Sequence, residues 1–246
     1  FWSGGSLWIG QAYMPAELHA HHAIQVSIGL SDHVQFRTDD NATWVSFGAA
    51  IIPPDFPHIF QAPGKTIAHL FCDPESAIVR VISARFEMNS IMGMATADIE
   101  PHGSALRSAY NNQASEEELE HLALETLFAL SGHLPVAAID PRISQATAFM
   151  ATRLADPLTL EDVARHVGLS PGRFRHLFVA ETGIAFRSHL LWTRLNRALE
   201  LGFSGMPWTE VAHATNFADS AHLSRTARRM YGIAPSSMPQ EDPAAS

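Results

Sequence analysis

The sequence predicts an α+β protein with a β-rich N-terminal domain, a linking helix and an all-α C-terminal domain. Short apolar clusters separated by turn residues fill the first part of the 246-residue chain, and helical periodicity dominates after residue 140. The charge of −9 is also divided unevenly. Residues 1–140 hold 5 basic and 16 acidic residues (net −11), whereas residues 141–246 hold 11 arginines and 9 acidic residues (net +2). This asymmetry predicts two domains with different partners.

The first domain, residues 1–98, is predicted to be a β-sandwich or barrel. Its apolar clusters are short, and Pro, Gly, Asp and Asn separate them, which is the pattern of such folds. The predicted strands lie within residues 24–30, 34–36, 44–47, 49–52, 67–71 and 78–82.

Histidines gather in this domain at positions that suggest a binding site. If residues 18–28 form one strand, His19, His21 and Gln25 share a face, and His58 follows a proline turn that opens another strand. Three imidazoles and an amide oxygen can bind a divalent metal such as Zn²⁺, Ni²⁺ or Fe²⁺. The set resembles the cupin pattern, with Gln25 in place of the acidic ligand, so attraction for a dication is reduced. The alternative, histidines that line a pocket without metal, stays open.

The linking region, residues 99–139, contains a predicted helix at 115–131. Ser115 is its expected N-cap, and three glutamates follow in the first turn, where they complement the helix dipole. Leu119, Leu122, Thr126 and Leu130 form an apolar stripe. The stripe predicts either packing against the β-rich domain or a seam between two chains of a homodimer. Residues 132–140 are predicted to be a linker.

The C-terminal domain, residues 140–238, contains an internal repeat of a helix pair. Asp140 and Pro141 suit the cap and first turn of its first helix. Residues 160–164 recur at 208–212, residues 168–170 recur at 216–219 with one extra residue, and residues 174–177 recur at 223–226. Residues 239–246 are predicted to be a frayed tail.

Each copy predicts a helix-turn-helix unit. Gly168 and Asn216 can adopt the left-handed backbone of the turn, and Ser170 and Asp219 can cap the second helix. That second helix carries arginine, serine and histidine on its outward side, which suits a DNA major groove and its phosphates. A helix at about 187–201 would hold the two units roughly 34 Å apart, one turn of DNA.

Residues 140–238 resemble the DNA-binding domain of the AraC/XylS family. The matching stretches are LTLEDVARHVGLSPGRFRHLFVAETG, RLNRALEL and WTEVAHATNFADSAHLSRTARRMYGIAPS. The resemblance implies a transcriptional regulator of double-stranded DNA, with a cupin-like β-barrel that binds a small-molecule effector, and contacts to RNA polymerase. The implied base-facing residues are Gly172, Arg175 and His176, then Ser220, Ala221, Ser224 and Arg225, with Arg173 and Arg228 on phosphate.

Two departures from the family pattern bear on these roles. Gly172 offers no side chain, so the first helix is expected to read fewer bases. Ala227 stands where an aromatic residue usually packs, which predicts a smaller core in the second unit.

Other classes of protein are less well supported by the sequence. There is no transmembrane stretch, signal peptide, phosphate-binding glycine loop or CxxC motif, and Cys72 is the only cysteine, so a cytoplasmic protein is expected. A metal-dependent cupin enzyme with a helical appendage is the alternative function. A third interpretation gives the β-rich domain no role except dimerisation.

Overall fold

The computed structural model describes residues 1–132, 134 and 138–237. The chain divides into two compact units, Phe1–Ala138 and Ile139–Ser246. The first is β-rich and the second is all-α, so the predicted fold class is confirmed. The helices of region 99–139 belong to the first unit. The predicted tail and residues 133 and 135–137 of the predicted linker lie outside the described residues.

Two antiparallel sheets face each other in the first unit. The five-stranded sheet has the order β1-β8-β3-β6-β9, and the four-stranded sheet has the order β2-β7-β4-β5. The strands are β1 (Gly5–Ala12), β2 (Ala16–His19), β3 (Ile24–Gly29), β4 (Val34–Arg37), β5 (Val45–Phe47), β6 (Ala49–Ile52), β7 (His58–Gln61), β8 (Lys65–Cys72) and β9 (Met92–Gly93).

Alternation along β3 decides which residues reach the space between the sheets. Ile24, Val26 and Ile28 join an apolar core with the helices of the unit. The intervening Gln25 and Ser27 bond instead to the ring of His69 on β8. Because successive strand side chains point to opposite faces, one face of the sheet packs on helices and the other faces the second sheet.

The helices of the first unit cover the outer face of the larger sheet. They are α1 (Ala77–Arg85), α2 (Thr96–Asn111) and α3 (Glu116–Leu130). The strand predicted at 78–82 is wrong, since these residues lie in α1. Their β-branched side chains favour a strand, but Val79 and Ile82, three residues apart, share a helix face that is buried in the core. Tertiary packing overrides the local preference here.

Helix α3 packs against its own unit, as one of the two interpretations of its stripe predicted. Ala123, Leu127 and Leu130 are buried in the core of the first unit. The predicted cap is confirmed, because the hydroxyl of Ser115 accepts the backbone N–H of Glu118 at 3.2 Å.

The second unit is a bundle of helices in which one helix pair occurs twice. Its helices are α4 (Pro141–Ala151), α5 (Leu160–His166), α6 (Pro171–Thr182), α7 (Phe186–Phe203), α8 (Trp208–Ala214) and α9 (Ser220–Tyr231), followed by a short 3₁₀ turn at Pro235–Ser237. The pairs α5–α6 and α8–α9 correspond to the predicted repeat. Gly168 and Asn216 have φ values of 68° and 57°, which confirms both predicted left-handed turns.

Helix α7 connects the two pairs and is longer than the sequence predicted. Of the residues expected on its buried side, Leu190, Leu195, Ala198 and Leu199 are buried, and Leu191 is half-buried. Trp192, which was not expected there, is also buried, and its ring lies 5.5 Å from that of Tyr231 on α9. Ala227, in the position usually held by an aromatic residue, is fully buried.

Candidate nucleic-acid interface and histidine cluster

The second helix of each pair, α6 or α9, begins at a defined cap. The hydroxyl of Ser170 accepts the backbone N–H of Arg173 at 3.4 Å, and the carboxylate of Asp219 accepts that of His222 at 2.6 Å. Both predicted caps are confirmed. Each helix ends at a glycine in the left-handed conformation, Gly183 or Gly232. The matching caps show that the repeat in sequence is also a repeat in structure.

The predicted contact residues of both helices lie on their outer faces. On α6, Phe174 and Phe178 point into the core, while the predicted residues Gly172, Arg173, Arg175 and His176 are exposed. On α9, Leu223, Ala227 and Tyr231 are buried. The predicted residues of α9 divide into exposed Ala221, Arg225 and Arg228 and half-buried Ser220 and Ser224.

The arginines on these two faces carry charge that no nearby carboxylate neutralises. Among the residues that the structure describes, Arg173, Arg175, Arg225 and Arg228 make no ion pair. Four other arginines of the unit pair with acids: Arg142 with Asp140, Arg153 with Asp156, Arg165 with Asp162 and Arg197 with Glu200. The exposed faces of α6 and α9 therefore present positive charge that is available to a ligand.

The histidine cluster lies between the two sheets of the first unit. The single strand predicted at 18–28 is wrong: β2 and β3 belong to different sheets, and His21 lies in their connection. The predicted residues nevertheless come together. One ring nitrogen from each of His19, His21 and His58 lies within 4.8 Å of the others, and all three side chains are buried.

The three rings are oriented in the same way, by backbone carbonyls two residues away. The Nδ1 atoms of His19, His21 and His58 lie 2.7, 2.9 and 2.9 Å from the carbonyls of Glu17, Ala23 and Phe56. Because a carbonyl only accepts, each Nδ1 carries the ring proton and each Nε2 keeps a lone pair. Among the described residues, His58 Nε2 is buried without a hydrogen-bond partner.

Burial keeps these rings neutral. It lowers the pKa of His19 to about 3, with a further contribution from His21, and it lowers the pKa of His21 as well. The pKa of His58 is well below its usual value for the same reason, and the neighbouring histidines add to the effect. Neutral imidazoles are the form that binds metal ions.

Gln25 and His69 complete the polar interior. Oε1 of Gln25 lies 2.8 Å from His21 Nε2, and its amide nitrogen donates to Ser27 Oγ at 2.8 Å. His69 Nδ1 lies 2.9 Å from the same hydroxyl, and burial lowers its pKa to about 3. Sequence spacing alone did not indicate a site role for His69. Its alternation with Phe71 on β8 could have placed it on the interior face.

Comparison with known proteins places the second unit in a recognised class. A family profile described as "Helix-turn-helix domain" matches residues 163–240. The arabinose operon regulatory protein of Escherichia coli K12 is 33% identical over 120 residues, which is 48% of this chain and 41% of that protein. The HTH-type transcriptional regulator YijO of the same organism is 27% identical over 210 residues, covering 77% of this chain and 74% of that protein.

The whole fold also has a solved counterpart. The crystal structure of ToxT from Vibrio cholerae O395 superposes with a TM-score of 0.60 at 9% identity, covering 94% of this chain and 95% of that one. Another ToxT structure holds an unsaturated fatty acid. No helix among the described residues is long and apolar enough to cross a membrane.

The second unit is therefore a double helix-turn-helix domain of the AraC type. The second unit is similar to part of the arabinose operon regulatory proteins, and the chain spans less than half the length of those relatives.

Proposed function

We propose that this protein is a sequence-specific DNA-binding transcriptional regulator that places α6 and α9 in two successive major-groove segments. The observation that carries the proposal is the pair of exposed helix faces whose arginines have no ion-pair partner among the described residues. Such guanidinium groups suit forked hydrogen bonds to guanine and to phosphate. The matching relatives are named transcriptional regulators, which supports regulation over catalysis.

The roles divide by position on each helix. Arg175 and His176 on α6, and Ser224 and Arg225 on α9, would contact base edges. Arg173 and Arg228 would hold phosphates, which fix register without reading sequence. The remaining predicted positions, Gly172, Ser220 and Ala221, would allow close approach of the helix to the groove.

Four further features of the proposal rest on the family and on the fold. The β-rich unit would bind the effector, and the exposed side of α3, with Leu124 and Phe128 one turn apart, would contact a second copy. Contact with RNA polymerase and a cytoplasmic location are also expected of a bacterial-type regulator that acts on promoters.

A genomic binding selection followed by a salt-dependent gel shift tests the DNA proposal. Arg175→Ala combined with Arg225→Ala should abolish specific binding, while Arg142→Ala combined with Arg165→Ala, two arginines that already pair with carboxylates, should leave it within about threefold. The absence of any enriched site with the unmodified protein would reject the proposal.

We further propose that the effector site of the β-rich unit takes a divalent transition metal ion. The observation that favours a metal is a pair of hydrogen-bond acceptors that face each other, one on His21 and one on Gln25. His21 donates its Nδ1 proton to the Ala23 carbonyl, so the lone pair of Nε2 faces the Oε1 of Gln25 at 2.8 Å with no proton between them. Two acceptors at this separation repel each other, unless a cation binds both or the amide turns over.

The same argument extends to the neighbouring rings. Nε2 of His58 is buried without a partner in the described residues, and the His19 and His58 ring centroids are 4.1 Å apart. One nitrogen from each of the three rings lies within 4.8 Å of the others, a separation at which all three can bind a single ion. His19, His21 and His58 would hold the ion, and Gln25 would supply a fourth, uncharged oxygen. The ion would act by joining strands of both sheets.

Elemental analysis and thermal unfolding with Zn²⁺, Ni²⁺ and Fe²⁺ test the metal proposal. One ion per chain should raise the melting temperature of the unmodified protein, and His58→Ala should remove both effects. His33→Ala, which changes an exposed histidine, is the matched control. Gln25→Glu adds a charged ligand and should tighten binding by roughly tenfold or more. Equal metal content in the His58→Ala variant would refute the site.

The alternative of a metal-dependent enzyme makes a different prediction. It requires metal-dependent turnover that is lost in the His58→Ala variant, while the His58→Ala substitution leaves DNA binding unaffected. A regulator requires instead that metal change the affinity for DNA of the unmodified protein but not that of the variant.

A further inference from the structure

One backbone carbonyl, that of Asp156, is shared by two parts of the second unit. It lies in the segment between α4 and α5, in the first half of the unit. The guanidinium of Arg194 on α7 donates to it from Nη2 at 2.7 Å, and from Nε to the Leu154 carbonyl at 3.1 Å. The amide of Asn216, in the turn between α8 and α9, donates to the same Asp156 carbonyl at 2.9 Å. A carbonyl has two lone pairs, so both donors can be satisfied.

Asn216 differs from its counterpart in the first helix pair. Gly168 and Asn216 occupy the same left-handed turn position, with φ values of 68° and 57°. Glycine adopts this conformation without steric cost, whereas asparagine is one of the few other residues that tolerate it. Only Asn216 has a side chain that can bond across the unit. The second copy therefore uses this position for a contact as well as for the turn.

The carbonyls that receive these bonds are attached to the core under α6. Leu154 and Leu158, on either side of Asp156, are buried in the same cluster as Phe174 and Phe178 of α6. Asn216 lies three residues before the cap of α9, Asp219. A short path of packed side chains and three hydrogen bonds therefore joins the core that supports α6 to the turn that starts α9.

We propose that Arg194 and Asn216 are positioning residues that fix the distance and rotation between α6 and α9, and thereby set the spacing of the two DNA segments that the protein accepts. The inference rests on the proposed DNA-binding function. Because B-DNA turns once in about 10–10.5 base pairs, one inserted pair rotates the second segment by roughly 35° and shifts it by about 3.4 Å. If α6 and α9 are held rigidly, this change should lower the affinity for DNA. If their relative position is loosened, the affinity should fall less.

The test measures how tightly the full chain binds operators that differ in the spacing between the two contacted segments. A site from the genomic selection is altered by inserting or deleting one base pair between the two contacted segments, and the ratio of Kd values gives a spacing penalty. The unmodified protein should show a penalty of at least about tenfold, as for a misplaced base contact. Asn216→Gly and Arg194→Gln should each reduce it by about threefold to tenfold, the factor of one net hydrogen bond.

Two variants distinguish a change in the spacing penalty from a folding defect. Asn216→Gly retains a residue suited to the left-handed turn, so it removes the bond and not the backbone conformation. Arg197→Gln, three residues further along α7, removes an arginine paired with Glu200 and should keep the full spacing penalty. A spacing penalty unchanged in both the Asn216→Gly and Arg194→Gln variants would overturn the inference.

A second measurement tests the positioning role of Arg194 and Asn216 without DNA. Hydrogen exchange in the turn that contains Asn216 should accelerate at least threefold in the Arg194→Gln variant, because a bond partner of the shared carbonyl is lost and the segment loosens. If the unmodified protein selects no DNA, the regulator proposal fails. If hydrogen exchange is unchanged in the Arg194→Gln variant, the positioning role of Arg194 and Asn216 is refuted, whatever the outcome for DNA.

Discussion

Arg225 and Arg228, three residues apart on α9, are proposed to make two different kinds of DNA contact. Arg225 and Arg228 are both exposed, and neither has an ion-pair partner among the described residues. Arg225→Ala should cost about 1–3 kcal/mol on the preferred site and relax the preference at one base position. Arg228→Ala should weaken binding to all sequences equally and reduce the salt slope by about one. Gel shifts against single-base operator variants at several salt concentrations distinguish them, and identical profiles would contradict the assignment.

A buried histidine beside the cluster has the opposite electrostatics. Burial lowers the pKa of His22, but Asp55 and Glu75 outweigh it and raise the pKa to about 9. His22 Nε2 lies 3.3 Å from the Glu75 carboxylate, and both side chains are buried. All four rings are buried, so the difference from His19, His21 and His58 is that His22 makes hydrogen bonds to carboxylates.

The raised pKa of His22 predicts how stability depends on pH. A pKa raised above the unfolded value of about 6.5 adds stability that is complete below that pH and is lost as pH rises through about 9. The unmodified protein should therefore exceed the His22→Gln variant in free energy of unfolding by about 1–3 kcal/mol at pH 6. The difference should shrink by pH 9.5. Urea unfolding with a chelator present measures it, and a constant difference would exclude the charged pair.

Among the helices, α6 and α9 begin at caps of different chemistry and different hydrogen-bond length. The Asp219 carboxylate is closer to its backbone donor than the Ser170 hydroxyl, at 2.6 Å against 3.4 Å. A charged cap also interacts with the positive end of the helix dipole. We therefore expect α9 to depend more on its cap than α6 does.

The caps give a direct comparison of α6 and α9. Asp219→Ala should destabilise the second unit by about 1–2 kcal/mol, and Ser170→Ala by about 0.5–1 kcal/mol. Asp219→Asn should recover much of the loss, because asparagine is also a good cap. Thermal unfolding of the three variants measures the order, and a larger loss for Ser170→Ala would contradict the distances.

Considered over the whole molecule, α3 has one buried side and one exposed apolar side. One side of the helix is buried in the core of the first unit. The other side exposes Leu124 and Phe128 by 39% and 49%. An apolar pair at this spacing on an outward face suits contact between two copies.

The dimer prediction follows from that face. Leu124→Glu should raise the dimer dissociation constant by roughly tenfold or more, because a charge would be desolvated at the interface. Val45→Glu, an exposed apolar residue on β5, should leave it unchanged. Sedimentation analysis over a range of concentrations gives both values. A chain that is monomeric throughout would rule out this role of α3.

The class of the second unit and the first residues of its helices could be predicted from neighbouring residues alone. Caps such as Ser170 and Asp219 act on their own helix. The repeat shows the same cap and turn positions in both helix pairs, which strengthens the prediction. The sequence also predicted that His19, His21, Gln25 and His58 lie together. This prediction held although the single strand assumed for residues 18–28 was wrong. Local interactions of this kind can be read from neighbouring residues.

Features that join distant segments could not be predicted in this way and became visible in the folded chain. The helix at 77–85, the separation of β2 from β3, the place of His69 and the bonds to the Asp156 carbonyl all depend on packing partners far away in the chain. The energy of burying Val79 and Ile82 on one face exceeds a modest strand preference. Asn216 reaches across 60 residues, and no local pattern encodes such a contact.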